Sequence, residues 1–300
     1  MLVHRSLEGL SIQKSVVTTG SFDGVHIGHK TILNRLRAIA RDTGGVSVLV
    51  TFYPHPRKVL YPNTQGRDLM MINTQREKIH LLEKCGLDHL VIVPFTLEFS
   101  RTTSVDFIRK ILVGKLHATC VVVGFNHHFG HNREGNYDYL YELGKFYNFA
   151  VEEIPEQDIH NEFVSSTKIR KAILEGNIQR ANAYLDHEFF MIGPLRQEVQ
   201  EAGGFTWFEV VPEEVEKELP PDGIYAGSVT ESLNRQKVMI RIVREQERPK
   251  VEIHFIDPVN RYGPEVYLTF HKKIRLFDSS LNVPFMGLSE DREAVEQLIY

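Results

Sequence analysis

The stretch that limits this chain most is residues 16–30. A β-branched run, Val16-Val17-Thr18-Thr19, passes through Gly20, Gly24 and Gly28 and two histidines, His26 and His29. It then enters a helical period with Ile32, Leu33, Leu36, Ile39 and Ala40 on one face. Strand, tight loop and helix start in that order make a phosphate site, because unpaired N–H groups and the positive helix end point at an anion. Glycine lets backbone come close to a ligand and adopt positive φ. His26 and His29, three apart at the helix mouth, can both donate to one polyphosphate. A plain βα turn with surface histidines would also contain His-x-Gly-His. The upstream Gly20-x-Phe22-Asp23-Gly24 favours the ligand site.

From that motif to residue 185, short β-rich runs alternate with helical patterns. Strands are expected at 15–19, 46–52, 89–94, 119–124 and 149–154, and helices at 29–41, 74–84, 104–113 and 137–147. Strands separated by helices imply a doubly wound parallel sheet with right-handed crossovers, covered on both faces. Ligands then gather at the carboxyl ends of the strands. From about residue 189 the pattern changes to alternating runs at 205–211, 223–230, 236–243, 250–257 and 264–270, broken by Pro, Gly, Asp and Asn. That spacing predicts a small antiparallel barrel or sandwich. Ser289 is placed to cap a closing helix that buries Ala294, Val295, Leu298 and Ile299. The expected division is 1–186 and 187–300.

Three further segments carry polar side chains at strand ends or helix starts. Tyr53-Pro54-His55-Pro56 follows the second strand, where two prolines predict a stiff, extended connector. Gly124-Phe125-Asn126-His127-His128-Phe129-Gly130-His131 follows the fourth. Three histidines there invite a zinc reading, but adjacent histidines rarely aim at one ion, and no cysteine or carboxylate stands at helical ligand spacing. The segment reads instead as a polar loop beside a ligand. Ser165-Ser166-Thr167-Lys168-Ile169-Arg170 opens a helix that Gly176 stops. A cap explains one hydroxyl, whereas three hydroxyls followed by two cations make an anion cradle.

Gly20-x-Phe22-Asp23-Gly24-x-His26-x-Gly28-His29 resembles the nucleotide-binding loop of the bifunctional riboflavin kinase/FMN adenylyltransferase (bacterial FAD synthetase) family. His-x-Gly-His alone is shared across the nucleotidylyl-transferase superfamily. Thr51-Phe52-x-Pro54-His55-Pro56 is similar to the family loop bordering the flavin and nucleotide. Arg76-Glu77-Lys78 and Pro94-Phe95 also match. The Gly124–Gly135 stretch resembles its second nucleotide loop, with Asn126 at the nucleotide-contacting position. Ser-Ser-Thr-x-Ile-Arg is similar to its third motif, with Lys168 where arginine is frequent.

The resemblance implies transfer of AMP from ATP to FMN, with Mg2+ carried largely by ATP. His26, His29 and Arg170 would be catalytic. Gly20, Phe22, Asp23, Gly24, Gly28, Pro54, His55, Pro56, Asn126, Ser165, Ser166 and Thr167 would line the substrates. Two alternatives stay open: a nucleotidylyltransferase with another acceptor, and a flavin-binding paralogue without catalysis.

The second half resembles the family's riboflavin kinase barrel at Gly223-Ile224-Tyr225, Val251-Glu252-x-His254-x-x-Asp257, Tyr262-Gly263 and Val266–Phe270. By that match Glu252 would be the general base on the riboflavin hydroxyl. Thr206 would be the remnant of a metal-holding threonine. The family's glycine-rich metal and phosphate loop, however, is replaced by Gln197–Glu209, where carboxylates at 198, 201 and 209 would repel a triphosphate. The replacement argues against kinase activity and turns Glu252 into a strand residue facing solvent or an ion pair.

A net charge of −4 gives no basic patch for nucleic acid. Cys85 and Cys120 sit in apolar settings and read as packing residues. No apolar run reaches membrane-spanning length, and the start MLVHRSLEGL has no signal-peptide pattern, so a cytoplasmic protein is expected.

Overall fold

The computed structural model describes residues 1–125, 128–155, 158–159, 162–202, 204–231, 234–245, 248–257, 263–277 and 286–298. The chain forms two compact units, residues 1–69 with 78–164, and residues 70–77 with 165–300.

The first unit is built on a six-stranded parallel sheet. Its strands are β1 (Leu2–His4), β2 (Ser15–Thr19), β3 (Val46–Tyr53), β4 (His89–Pro94), β5 (Ala118–Gly124) and β6 (Ala150–Ile154), in the order β1-β4-β3-β2-β5-β6. The five expected strands are present within a residue or so. The edge strand β1 was not anticipated; three residues are too few to show a period. β2 is buried along its whole length, which explains its unbroken apolar and threonine run. Val17, Val48, Val50, Val91, Val121 and Val123 share one core with Phe107, Ile108, Leu112 and Leu140. Helix α1 (Ile27–Thr43) covers the sheet with Leu33, Leu36 and Ala40 and ends on Gly44 in the left-handed region.

After β3, Pro54 lies in a bend, and His55 caps a short helix, α2 (Pro56–Leu60), that Pro56 opens. The expected stiff connector is therefore a helix from its second proline onward, since proline is well suited to the first helical position. Helix α3 (Gln75–Lys84) starts at a reciprocal capping box. Thr74 N–H donates to Glu77 Oε2 at 3.0 Å, and Glu77 N–H donates to Thr74 Oγ1 at 3.2 Å. The helix expected over 104–113 is α4 (Ser104–Phe107), running into a π-helical turn over Ile108–Val113. Helix α5 (Tyr137–Tyr147) precedes β6, and a small ribbon, β7 (Asp158–Ile159) with β8 (Glu162–Phe163), follows it.

In the second unit, α6 (Ser166–Leu174) and α7 (Ile178–Leu185) precede a closed six-stranded antiparallel barrel. Its strands are β9 (Phe189–Ala202), β10 (Phe205–Val210), β11 (Gly223–Glu231), β12 (Asn234–Glu245), β13 (Arg248–Phe255) and β14 (Glu265–Leu276). The compact units divide at Val164/Ser165, whereas the change in sequence pattern falls some twenty residues later. β9 is the strand the alternation did not reveal. Phe189, Phe190, Met191 and Ile192 are all buried, so neither face is marked as polar.

Ile240, Ile242, Val251, Ile253, Leu268 and Phe270 are fully buried. The closing helix α8 (Leu288–Gln297) packs Leu288 and Val295 against Trp207, Ile224, Ala226 and Met239. Burying each of those two side chains contributes about 1.5–3 kcal/mol. Its cap is Gly287, with φ 75°, and not Ser289, which lies inside the first turn. Ala294 and Leu298 are half-buried, and Ile299 lies outside the described residues.

Candidate active site

The loop between β2 and α1 is wound by its backbone. Gly20 N–H continues the sheet by donating to Val50 O at 3.0 Å. Phe22 (φ 48°), Gly24 (φ 87°) and Val25 (φ 41°) then take left-handed conformations within four residues, and Val25 N–H donates to Phe22 O at 3.3 Å. A buried β-branched residue at positive φ is strained, and such strain persists only where the surroundings enforce it. The loop's Asp23 is buried as well.

The winding delivers three rings into one stack. Phe22 lies on His29 with centroids 4.4 Å apart, and His29 lies on His26 at 3.6 Å. Gly28 makes room for this: a Cβ there would sit 3.3 Å from the Cε1 and Nδ1 of His26. His26 is the extended N-cap of α1, its side chain makes no capping hydrogen bond, and the first turn holds no acidic residue. The start of a seventeen-residue helix, with its positive dipole end, thus faces the loop without a cap from its N-cap side chain.

His29 is half-buried, and its Nδ1 is sealed from solvent without a hydrogen-bond partner. Burial, then His26, then Lys78 hold its imidazole well below the ordinary histidine range. The site therefore presents a neutral His29 ring at pH 7, a dipolar donor rather than a cation. Lys78, in α3, is almost wholly buried, and its Nζ donates to Ser21 O at 3.0 Å. Thr51 Oγ1 donates to the same carbonyl at 3.3 Å. In the sequence Lys78 stands in the Arg76-Glu77-Lys78 match without a role. Its separation from residue 21 along the chain hides the contact.

The remaining expected residues fall as follows. Pro54 and His55 lie just past the end of β3. The His55 Nδ1 accepts from Arg57 N–H at 3.2 Å, capping the helix that Pro56 opens. Asn126 and His127 lie outside the described residues. His131 binds the Ser100 carbonyl through Nδ1 at 3.0 Å. Among the described residues no three His, Cys, Asp or Glu side chains are grouped to hold a metal.

In the second unit, Ser165 is the N-cap of α6, its hydroxyl accepting from Lys168 N–H at 3.3 Å. Ser166 and Thr167 are the first two residues of that helix, and Arg170 lies one turn on. Gly176 follows the helix with φ 68°.

The barrel residues read as a kinase site are differently placed. Gln197–Ala202 and Phe205–Glu209 are strands of a β-hairpin, with Ala202 opposite Phe205 and Arg196 opposite Glu209. Thr206 sits within it, paired to Glu201, and its carbonyl binds His254 Nδ1 at 3.0 Å. Glu252 does not face solvent. It is buried at 3% exposure, and its Oε2 accepts from Arg241 Nε at 2.6 Å and Nη2 at 2.5 Å. Lys250 Nζ reaches its Oε1 at 3.0 Å, and the Arg241 guanidinium lies over the Trp207 ring at 4.3 Å. The ion-pair half of the expectation holds.

Residues 10–168 match the FAD synthetase family. The bifunctional riboflavin kinase/FMN adenylyltransferase of Buchnera aphidicola from Schizaphis graminum is 30% identical over 94% of this chain and 93% of its own. The FAD synthetase of Listeria monocytogenes is 34% identical over 60% of this chain and 71% of its own. The bifunctional enzyme of Escherichia coli K12 is 29% identical over 87% and 84%. A crystal structure described as a macrolide-efflux protein from Streptococcus pneumoniae superposes with a TM-score of 0.85 over 99% of both chains at 22% identity. At that identity the likeness carries the fold alone. No helix among the described residues is long and apolar enough to cross a membrane.

Proposed function

Because the chain belongs to the FAD synthetase family, we propose that it transfers the adenylyl group of ATP to the phosphate of FMN, giving FAD and pyrophosphate. The observation that carries this reading is the start of α1, which its N-cap side chain does not cap, beside the stacked His26 and His29.

The nucleophile, an FMN phosphate oxygen, is ionised at neutral pH and needs no general base. The remaining task is to offset crowded negative charge and to hold two anions in line. A neutral His29 suits it: with its Nδ1 sealed away, the ring's other nitrogen is the one placed to donate to phosphate. His26 and the first amides of α1 add donors beside it. Phe22 supports the stack, and Gly20, Gly24 and Gly28 keep the approach open. Asp23 is buried within the loop.

Pro54, His55 and Pro56 are proposed to border the flavin, and Asn126 to contact the nucleotide, on the strength of their motifs. Ser165, Ser166, Thr167 and Arg170 are a second proposed phosphate contact, supported by their place at the start of α6. ATP is taken as its Mg2+ complex, the ion arriving with the triphosphate. A reaction that draws on ATP fits the cytoplasm. Residues 1–186 would form the adenylyltransferase segment.

The barrel, 187–300, is not read as a riboflavin kinase. Glu252 is held by two cations instead of waiting for a hydroxyl proton. A paired hairpin stands where a phosphate loop would be needed.

The test is chromatography after incubating the protein with MgATP and either FMN or riboflavin. FAD should form from FMN, with neither FMN nor FAD appearing from riboflavin. Absence of FAD while FMN binds would support the non-catalytic alternative. Pyrophosphate release with another acceptor, and none with FMN, would point to a different nucleotidylyltransferase.

A further inference from the structure

Lys78 places a charged group inside the first unit, 3% exposed, against the carbonyl of the residue before Phe22. An ammonium so far from solvent is costly unless it is hydrogen-bonded and paired. Here the Ser21 carbonyl receives both Lys78 Nζ and Thr51 Oγ1, at 3.0 and 3.3 Å, immediately ahead of the positive-φ turn at Phe22. From there the contacts run through rings: Phe22 to His29, then His29 to His26.

We propose that Lys78 is a positioning residue for adenylyl transfer: its ammonium fixes the Ser21 carbonyl, and with it the Phe22 ring on which His29 stacks, in the arrangement that offers both imidazoles to phosphate. The proposal rests on the adenylyl-transfer reading of the site and extends it to a residue outside the loop.

The same ammonium has an electrostatic consequence. The titratable groups whose charge acts on His29 are His26, at the start of α1, and Lys78, from α3; both disfavour a proton there, as does burial. Lys78 thereby helps keep His29 a neutral donor. Were both rings protonated, the two stacked cations would repel each other and loosen the stack.

Two substitutions separate the hydrogen bond from the charge. Lys78→Gln keeps an N–H donor and loses the charge, and Lys78→Arg keeps both. In the full chain without nucleotide, histidine-ring 15N NMR with His29 assigned by His29→Asn should show the K78Q ring binding protons roughly three- to tenfold more tightly than wild type. In K78R it should titrate with wild type. FAD formation should fall in kcat by about tenfold or more in K78Q, with KM for ATP changing less.

Thr51→Val, which removes the other donor to Ser21 without touching charge, should lower kcat and leave the His29 titration where it was. It also serves if K78Q does not fold. A K78Q ring that titrates with wild type would overturn the electrostatic part, as would a T51V ring that shifts. Unchanged kcat in both K78Q and T51V would overturn the positioning role. If wild-type protein makes no FAD, the adenylyl-transfer reading fails by itself, while the NMR titration still decides whether Lys78 governs His29.

Discussion

Replacing Glu252 by glutamine separates a working base from a structural ion pair. The carboxylate is 3% exposed, meets Arg241 through two contacts on one oxygen and Lys250 on the other, and the guanidinium is as deeply buried as the acid. Removing one member of such a pair strands the other charge, at a cost of about 3–5 kcal/mol. Glutamine still offers Arg241 an acceptor, and Trp207 still faces the guanidinium, so the lower end, about 3 kcal/mol, applies. For a unit of this size that is a fall in melting temperature of about 6–12 °C. Replacing both partners with uncharged residues, Arg241→Met with Glu252→Gln, should recover most of it.

The assay is a thermal melt of the three proteins beside FAD formation measured well below the transition. Glu252→Gln should melt low and make FAD at the wild-type rate. A variant that melts within 1–2 °C of wild type, about the effect of an unremarkable surface change, yet loses an ability to phosphorylate riboflavin would refute the ion-pair reading and restore the base.

Other expectations concern the first unit. His29→Ala should lower turnover by about a hundredfold or more, as loss of a preorganised donor does; a wild-type rate in that variant would remove His29 from the chemistry. His29 also links stability to pH. Its folded value lies below the unfolded 6.5, so the unfolded state binds the extra proton. The stabilisation is complete above 6.5 and lost as pH falls through the folded value. The wild-type melt should therefore drop between pH 7 and pH 5 more steeply than that of His29→Asn, and equal slopes would contradict the assignment. Gly28→Ala would push a methyl to 3.3 Å from the His26 ring and should cost about tenfold in FAD formation. An unchanged rate would mean that the ring's position is not critical.

The sequence made the parallel sheet legible because its strands are continuous apolar runs with helical periods between them. It made the phosphate loop legible because three glycines and two histidines lie within ten residues of chain. What stayed hidden was mostly non-local or masked by burial. Lys78 touches Ser21 across 57 residues. β9 is apolar on both faces and shows no alternation. Glu252 could be read as exposed or paired until Arg241, on the neighbouring strand, was seen opposite it. Pro56 has the same identity in a stiff connector and at a helix start; only the capping contact of His55 distinguishes them. The aromatic stack of Phe22, His29 and His26 has no sequence signature beyond its motif, since positive φ at Phe22 and Val25 is needed to assemble it.

Soaking or co-crystallising the protein with a non-hydrolysable ATP analogue and Mg2+ interrogates the phosphate site without an assay. The triphosphate should lie against the first turn of α1, within hydrogen-bond reach of His26 and His29. Phosphates bound elsewhere, with the two rings still stacked and facing no anion, would contradict the account.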